Sequence, residues 1–84
     1  MSLREDLLGT IAAWHLPVAV TDDTPLIRSG LLDSLALFNL VLWVEEKTGQ
    51  PLDPTHVDFR NELNTVIRIL DFVARRRQQD AAAG

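Results

Sequence analysis

Leu3, Leu7, Ile11 and Trp14 recur at i, i+4, i+8 and i+11, with Leu8 and Ala12 beside them. That spacing keeps one face of a 3.6-residue helix apolar and predicts a helix at about residues 3–15. Ser2 followed by Glu5 has the spacing of a capping box, in which the two residues satisfy the free N–H groups of the first turn. Pro17 ends the pattern, because the residue before a proline avoids helical angles. Residues 16–33 predict a long connection with Thr21-Asp22-Asp23-Thr24-Pro25 as its turn-rich part. The same stretch carries Leu26, Ile27, Leu31 and Leu32, which a free linker would not expose, so it is expected to lie across the helices and plug the core. Long ordered connections of this kind are often functional.

A second helix is predicted from Ser34 to Thr48, with Asp33 as N-cap, Gly49 at the C′ position and Pro51 just beyond. On its wheel Leu37, Leu40, Val41 and Val44 share the sector assigned to the core. Ser34, Leu35, Phe38, Asn39, Leu42, Glu45 and Glu46 share the roughly opposite one. That outer sector is too apolar for an ordinary solvent face. After a loop at 50–57, a short turn of helix around Asp58 to Glu62 is expected to place Phe59 inward. Val66, Ile69, Leu70 and Val73 then predict a last helix from about Asn64 to Gln78, closed by Arg75, Arg76 and Arg77, whose cations suit the end of the dipole. No strand alternation or repeat is present. The expected fold is an all-α, four-helix bundle with three main helices, one short helix and a long first loop. It forms a single domain over residues 1–79, with a flexible tail at 80–84.

The chain has 84 residues, 46% of them hydrophobic and 24% charged, which fits one small globular domain and excludes a two-domain cofactor enzyme. There is no cysteine, so no disulfide or thiolate cluster supplements the core. The net charge is −4, and residues 1–63 hold four basic against ten acidic side chains. Nucleic acid is therefore not the expected partner, since phosphate neutralisation needs clustered Lys and Arg. The longest apolar stretch, Leu40 to Val44, is far below the ~20 residues that span a bilayer. After Arg4, the acids Glu5 and Asp6 stand where an export signal would carry positive charge, and no apolar run of export length follows. The expectation is a cytoplasmic monomer without membrane contact.

Asp33-Ser34-Leu35 is the strongest candidate for chemistry. With Asp33 as the cap, Ser34 takes the first helical position, and its hydroxyl projects beside free backbone N–H groups where an anion is favoured. As a bare tripeptide it is equally good capping chemistry. Its surroundings change that weighting. Asp22, Pro25-Leu26, Gly30-Leu31-Leu32-Asp33-Ser34-Leu35, Val44-Glu45-Glu46-Lys47-Thr48-Gly49 and Phe59 stand in an order that resembles the acyl carrier protein family, including its peptidyl and aminoacyl carriers, over about residues 3–77.

The resemblance implies that Ser34 carries phosphopantetheine through a phosphodiester, with cargo held as a thioester on the terminal thiol. It implies a non-catalytic protein that is the substrate of a phosphopantetheinyl transferase, of an acyl- or aminoacyl-activating ligase and of a downstream synthase or transferase. Asp33 and Leu35 would flank the modification and meet the transferase. Phe38, Leu42 and Glu45, on the same face, are candidates for partner docking. One departure matters: carriers of fatty acid synthesis usually have an acidic second helix, whereas here the first acid after Ser34 is Glu45. That shifts weight toward a stand-alone carrier for amino acids, D-alanine or a specialised polyketide or peptide pathway. The alternative is an unmodified helical adaptor that docks a partner through Leu35, Phe38 and Leu42.

Other constellations are weaker. His15 and His56 lie in different elements without an i, i+4 partner, so a metal pair is not expected. A Ser34–His56–Asp33 hydrolase would need His56 to reach the serine while Asp33 orients the histidine, yet Asp33 is already claimed as a cap. Asp22-Asp23 lacks the spacing of a calcium loop. Trp14 reads as core, and Trp43 falls on the outer half of its wheel, either under the loop or toward a partner.

Overall fold

A computed structural model describes residues 2–53 and 55–83 of the chain. Met1, Pro54 and Gly84 lie outside the described residues, and so, therefore, does the last residue of the expected tail. Four helices and no strand are found among the described residues: α1 (Leu3–Ala12), α2 (Ser34–Thr48), α3 (Phe59–Glu62) and α4 (Val66–Ala83). The all-α expectation holds at this level. None of these helices is long and apolar enough to cross a membrane.

The ends of the helices follow local chemistry. Ser2 Oγ accepts the Glu5 N–H at 3.1 Å, the serine half of the expected box. Helix α1 stops at Ala12, earlier than the predicted 15, because His15 takes a left-handed φ of 55°. Proline at 17 bounds a helix only from outside, and no glycine marks the turn at His15. Asp33 caps α2 through Oδ1, which accepts the Ala36 N–H at 2.8 Å. Gly49, at φ 70°, closes α2 in the conformation that a side chain resists. Helix α4 begins at Val66 rather than Asn64, since Thr65 Oγ1 accepts the Arg68 N–H at 3.2 Å and so acts as its cap. Its backbone continues to Ala83, past the expected Gln78.

Helix α4 packs against α1, α2 and α3 and supplies buried Val66, Ile69, Phe72 and Val73. Leu7 and Ile11 reach it from α1; Ala36, Leu40, Trp43 and Val44 reach it from α2. The register of α2 is rotated from the predicted one. Leu37 and Val41 are only half-buried, while Ala36 and Trp43 are inside. From Leu35 to Val44 the helix has one polar residue, Asn39, so hydrophobicity alone sets no phase. Trp43 is thus a core residue and not a partner-facing one.

The first loop behaves as its leucines require. Leu26 is fully buried and Leu32 nearly so, with Ile27 and Leu31 packed against the same cluster. Asn64, just before α4, holds that loop with its backbone and side chain together. Its carbonyl accepts the Leu26 N–H at 2.7 Å, and its Oδ1 accepts the N–H groups of Ile27 at 3.0 Å and Arg28 at 2.9 Å.

The triple arginine, expected to close the last helix, lies inside α4; Arg75 and Arg77 are exposed, and Arg76 and Arg77 tie α4 to the end of α2. Arg77 Nε donates to the Lys47 carbonyl at 2.9 Å, satisfying a carbonyl of the last α2 turn that has no partner within the helix. Arg76 lies over the Phe72 ring at 4.9 Å and donates to Gln50 Oε1 at 3.4 Å. Arg75 pairs with Asp71 on its own helix at 3.0 Å.

Lys47 Nζ meets Asp6 Oδ2 at 2.6 Å and sits 5.8 Å from the Trp43 ring centre, linking α1 to α2. The Lys47 hydrogen bond holds the Asp6 carboxyl below its ordinary value of 3.8, and Asp6 in turn raises Lys47 above 10.5. The indole N–H of Trp43 adds slightly to the lowering of Asp6, yet it falls short of a hydrogen bond and stays buried without a partner. Because the folded carboxyl is depressed, its contribution to stability is in place above 3.8 and is lost as pH falls through the lower folded value. For Lys47 the contribution is complete below 10.5 and is lost as pH rises through the raised value. We expect Asp6→Asn to flatten the acid end of the stability profile, read from urea midpoints at pH 3 to 6. An unchanged acid limb would show that the pair does not couple to folding.

Candidate functional site

Ser34 is the first residue of α2 and is exposed, as is Asp33 before it. Its position is built by what surrounds it. Leu32 anchors the incoming loop in the core, Asp33 caps the helix, and Ala36 and Leu40 fix the helix on its inner face. The hydroxyl therefore stands on a held backbone at the positive end of a 15-residue helix. Asp33 Oδ1 accepts the Ala36 N–H, so the carboxylate positions the serine's turn.

The apolar outer sector of α2 is present as predicted: Leu35 is 68% exposed, Phe38 58% and Leu42 46%. These three lie at i, i+3 and i+7, which aligns them in one stripe. Glu45, expected with them, is engaged elsewhere. Its Oε2 accepts the Leu52 N–H at 2.8 Å and holds the loop that follows α2, which makes it first of all a structural anchor.

Two concave surfaces flank Ser34. On the α3 side an open groove of about 380 Å³ is lined by Ser34 itself with Leu37, Phe38, Val41, Leu52 and Phe59. Half-buried Phe59 forms its far wall, so the expected inward placement of this ring holds in part. On the α1 side a cleft of about 290 Å³ is lined by residues that include Trp14, Leu31, Asp33, Leu35 and Asn39. Trp14, expected in the core, is half-buried and packs against its edge. Sequence reasoning had no signal for this cleft, because it depends on where α1 ends and how the chain turns at His15.

The remaining candidates are dispersed. His56 Nδ1 bonds Asp53 Oδ2 at 2.9 Å in the loop before α3, while Asp33 bonds the start of α2, so the histidine–aspartate pair of a hydrolase is not assembled around Ser34. Thr55, through its side chain first and its backbone N–H second, with His56 adding to them, lowers the Asp53 carboxyl. Asp22 pairs with Arg4 at 2.5 Å and so closes the first loop onto α1. Among the described residues no group of three His, Asp or Glu side chains is placed to hold a metal ion.

The arrangement presents the Ser34 hydroxyl to solvent at the start of a capped helix, between two concave surfaces. Comparison of the chain with family models, with curated proteins and with solved structures finds no match.

Proposed function

We propose that this chain is a stand-alone carrier protein of the acyl carrier type, with Ser34 as the attachment point for phosphopantetheine. The observation that carries the reading is the exposed Ser34 at the first turn of α2, capped by Asp33 and flanked by open surface, within the Gly30–Leu35 segment that resembles those carriers. The residues suit the group. The serine is exposed and the helix end favours the negative phosphodiester.

In the attachment step Ser34 Oγ attacks the β-phosphorus of the coenzyme A pyrophosphate in the transferase's site. The serine O–P bond forms, the P–O bond to the nucleotide breaks, and adenosine 3′,5′-bisphosphate leaves. The serine proton passes to a base of the transferase. Once attached, the arm supplies a thiol that holds acyl or aminoacyl cargo as a thioester, while the protein is the handle that partners recognise. Leu35, Phe38 and Leu42 give those partners an apolar stripe beside the attachment point. Intact mass after incubation with coenzyme A and a broad-specificity phosphopantetheinyl transferase is expected to rise by one phosphopantetheine. A protein that is folded and returns unmodified would sink the reading.

The exposed stripe also supports a second reading, an unmodified adaptor that docks a partner through Leu35, Phe38 and Leu42. The two separate on variants. For a carrier, Ser34→Ala removes function in the native host and Leu42→Asp reduces partner turnover without stopping modification. For an adaptor, Ser34→Ala is silent in complementation and Leu42→Asp is null.

A further inference from the structure

The two surfaces beside Ser34 differ in chemistry. In the α3-side groove every lining residue other than Ser34 presents carbon. The α1-side cleft adds the Asp33 carboxylate and the half-buried Asn39 carboxamide to Trp14, Leu16, Leu31 and Leu35. Ser34 itself lines the α3-side groove, while its immediate chain neighbours Asp33 and Leu35 line the α1-side cleft, so a group attached to the serine starts between the two surfaces and the chemistry of each decides where it rests. Trp14 and Leu16 reach it because α1 ends at Ala12 and the chain reverses at left-handed His15.

A phosphopantetheine arm is itself mixed. A gem-dimethyl and a hydroxyl follow the phosphate, and two secondary amides, each with a donor and an acceptor, come after them. An amide laid on carbon alone gives up its bonds to water and regains none. Asn39 offers both a donor pair and an acceptor, while Trp14 and Leu16 offer apolar surface to the methyl groups. We infer that the arm carried on Ser34 rests in the α1-side cleft, with an amide bonded to Asn39 and its gem-dimethyl against Trp14 and Leu16. The inference rests on the attachment proposed above. It assigns Asn39, Trp14 and Leu16 a positioning role that keeps the arm on the α1 side between encounters.

The experiment uses isotope-labelled protein before and after modification, with full loading verified by intact mass. Nuclear Overhauser contacts are expected between the pantetheine methyl protons and the indole protons of Trp14. Apo-to-holo shift changes are expected at the Asn39 side-chain NH₂ and at Trp14 Nε1–H. In loaded Asn39→Ala protein the Trp14 shifts should move back toward their apo positions and the methyl contacts should weaken. Methyl contacts to Leu52 or Phe59, or a loaded protein with no arm contacts at all, would overturn the inference and leave the attachment standing. Contacts to Trp14 that survive Asn39→Ala unchanged would remove Asn39 from it. Failure of the wild-type protein to accept the arm would refute attachment and inference together.

Discussion

Ser34→Ala should abolish the mass gain completely while leaving the fold intact. In the proposed attachment the Ser34 hydroxyl is the bond-forming group, so its removal leaves no slower route. Its nearest analogues are engaged elsewhere: Ser29 Oγ donates to the Pro25 carbonyl, and Ser2 Oγ caps α1. The structural cost is small. Ser34 is exposed, its helix is capped by Asp33 rather than by itself, and alanine suits a helical position. An exposed change of this kind alters stability by within about 0.5 kcal/mol, so circular dichroism and the urea midpoint should match wild type. Asp33→Ala makes the contrast. It removes the bond to the Ala36 N–H, and loss of such a cap costs about 0.5–2 kcal/mol. It should therefore lower the midpoint and slow modification without eliminating it. Modification persisting in Ser34→Ala at the wild-type rate would mean that another hydroxyl is the acceptor.

The outline of this site could be read along the chain because each of its parts is local. A cap, a first-turn serine and a C′ glycine depend on neighbours within a few residues, and all three stand where the pattern put them. The rotation of α2 could not be read. A helix apolar on nearly every face is oriented by its partners, and here α4 draws Ala36, Leu40, Trp43 and Val44 inward. That leaves Leu37 and Val41 at the edge, where they line the carbon-walled groove beside Ser34. The same holds for Glu45. As one of two adjacent glutamates on an outer sector it resembled a docking charge, but its bond to the Leu52 N–H depends on a loop whose path no spacing records. Asn64 is illegible in the sequence for a related reason: its three acceptor bonds serve residues nearly forty positions earlier in the chain.

Leu26→Ala is expected to have the largest effect on stability of any single change in the first loop. The side chain is fully buried, so truncation removes about 2–5 kcal/mol, the loss of transfer energy plus the cavity that remains. Small domains begin with only about 5–15 kcal/mol, and this one has no disulfide to constrain its unfolded chain. The loop that Leu26 anchors also carries Leu31 and Leu32 to the foot of α2, immediately before Asp33 and Ser34. Loosening it therefore acts on the turn that holds Ser34 as well as on the core. The variant should show a much lower urea midpoint and slower modification at temperatures where wild type is fully folded. Asn64→Ala separates the two contributions. It keeps Leu26 and the Asn64 carbonyl bond to its N–H, but strips Oδ1 from the N–H groups of Ile27 and Arg28. Those donors are partly open to water, so the loss should lie near about 1 kcal/mol per bond rather than at the full penalty of a buried orphan. Should Asn64→Ala match or exceed Leu26→Ala in midpoint shift, polar anchoring and not the leucine plug would be what fixes the loop.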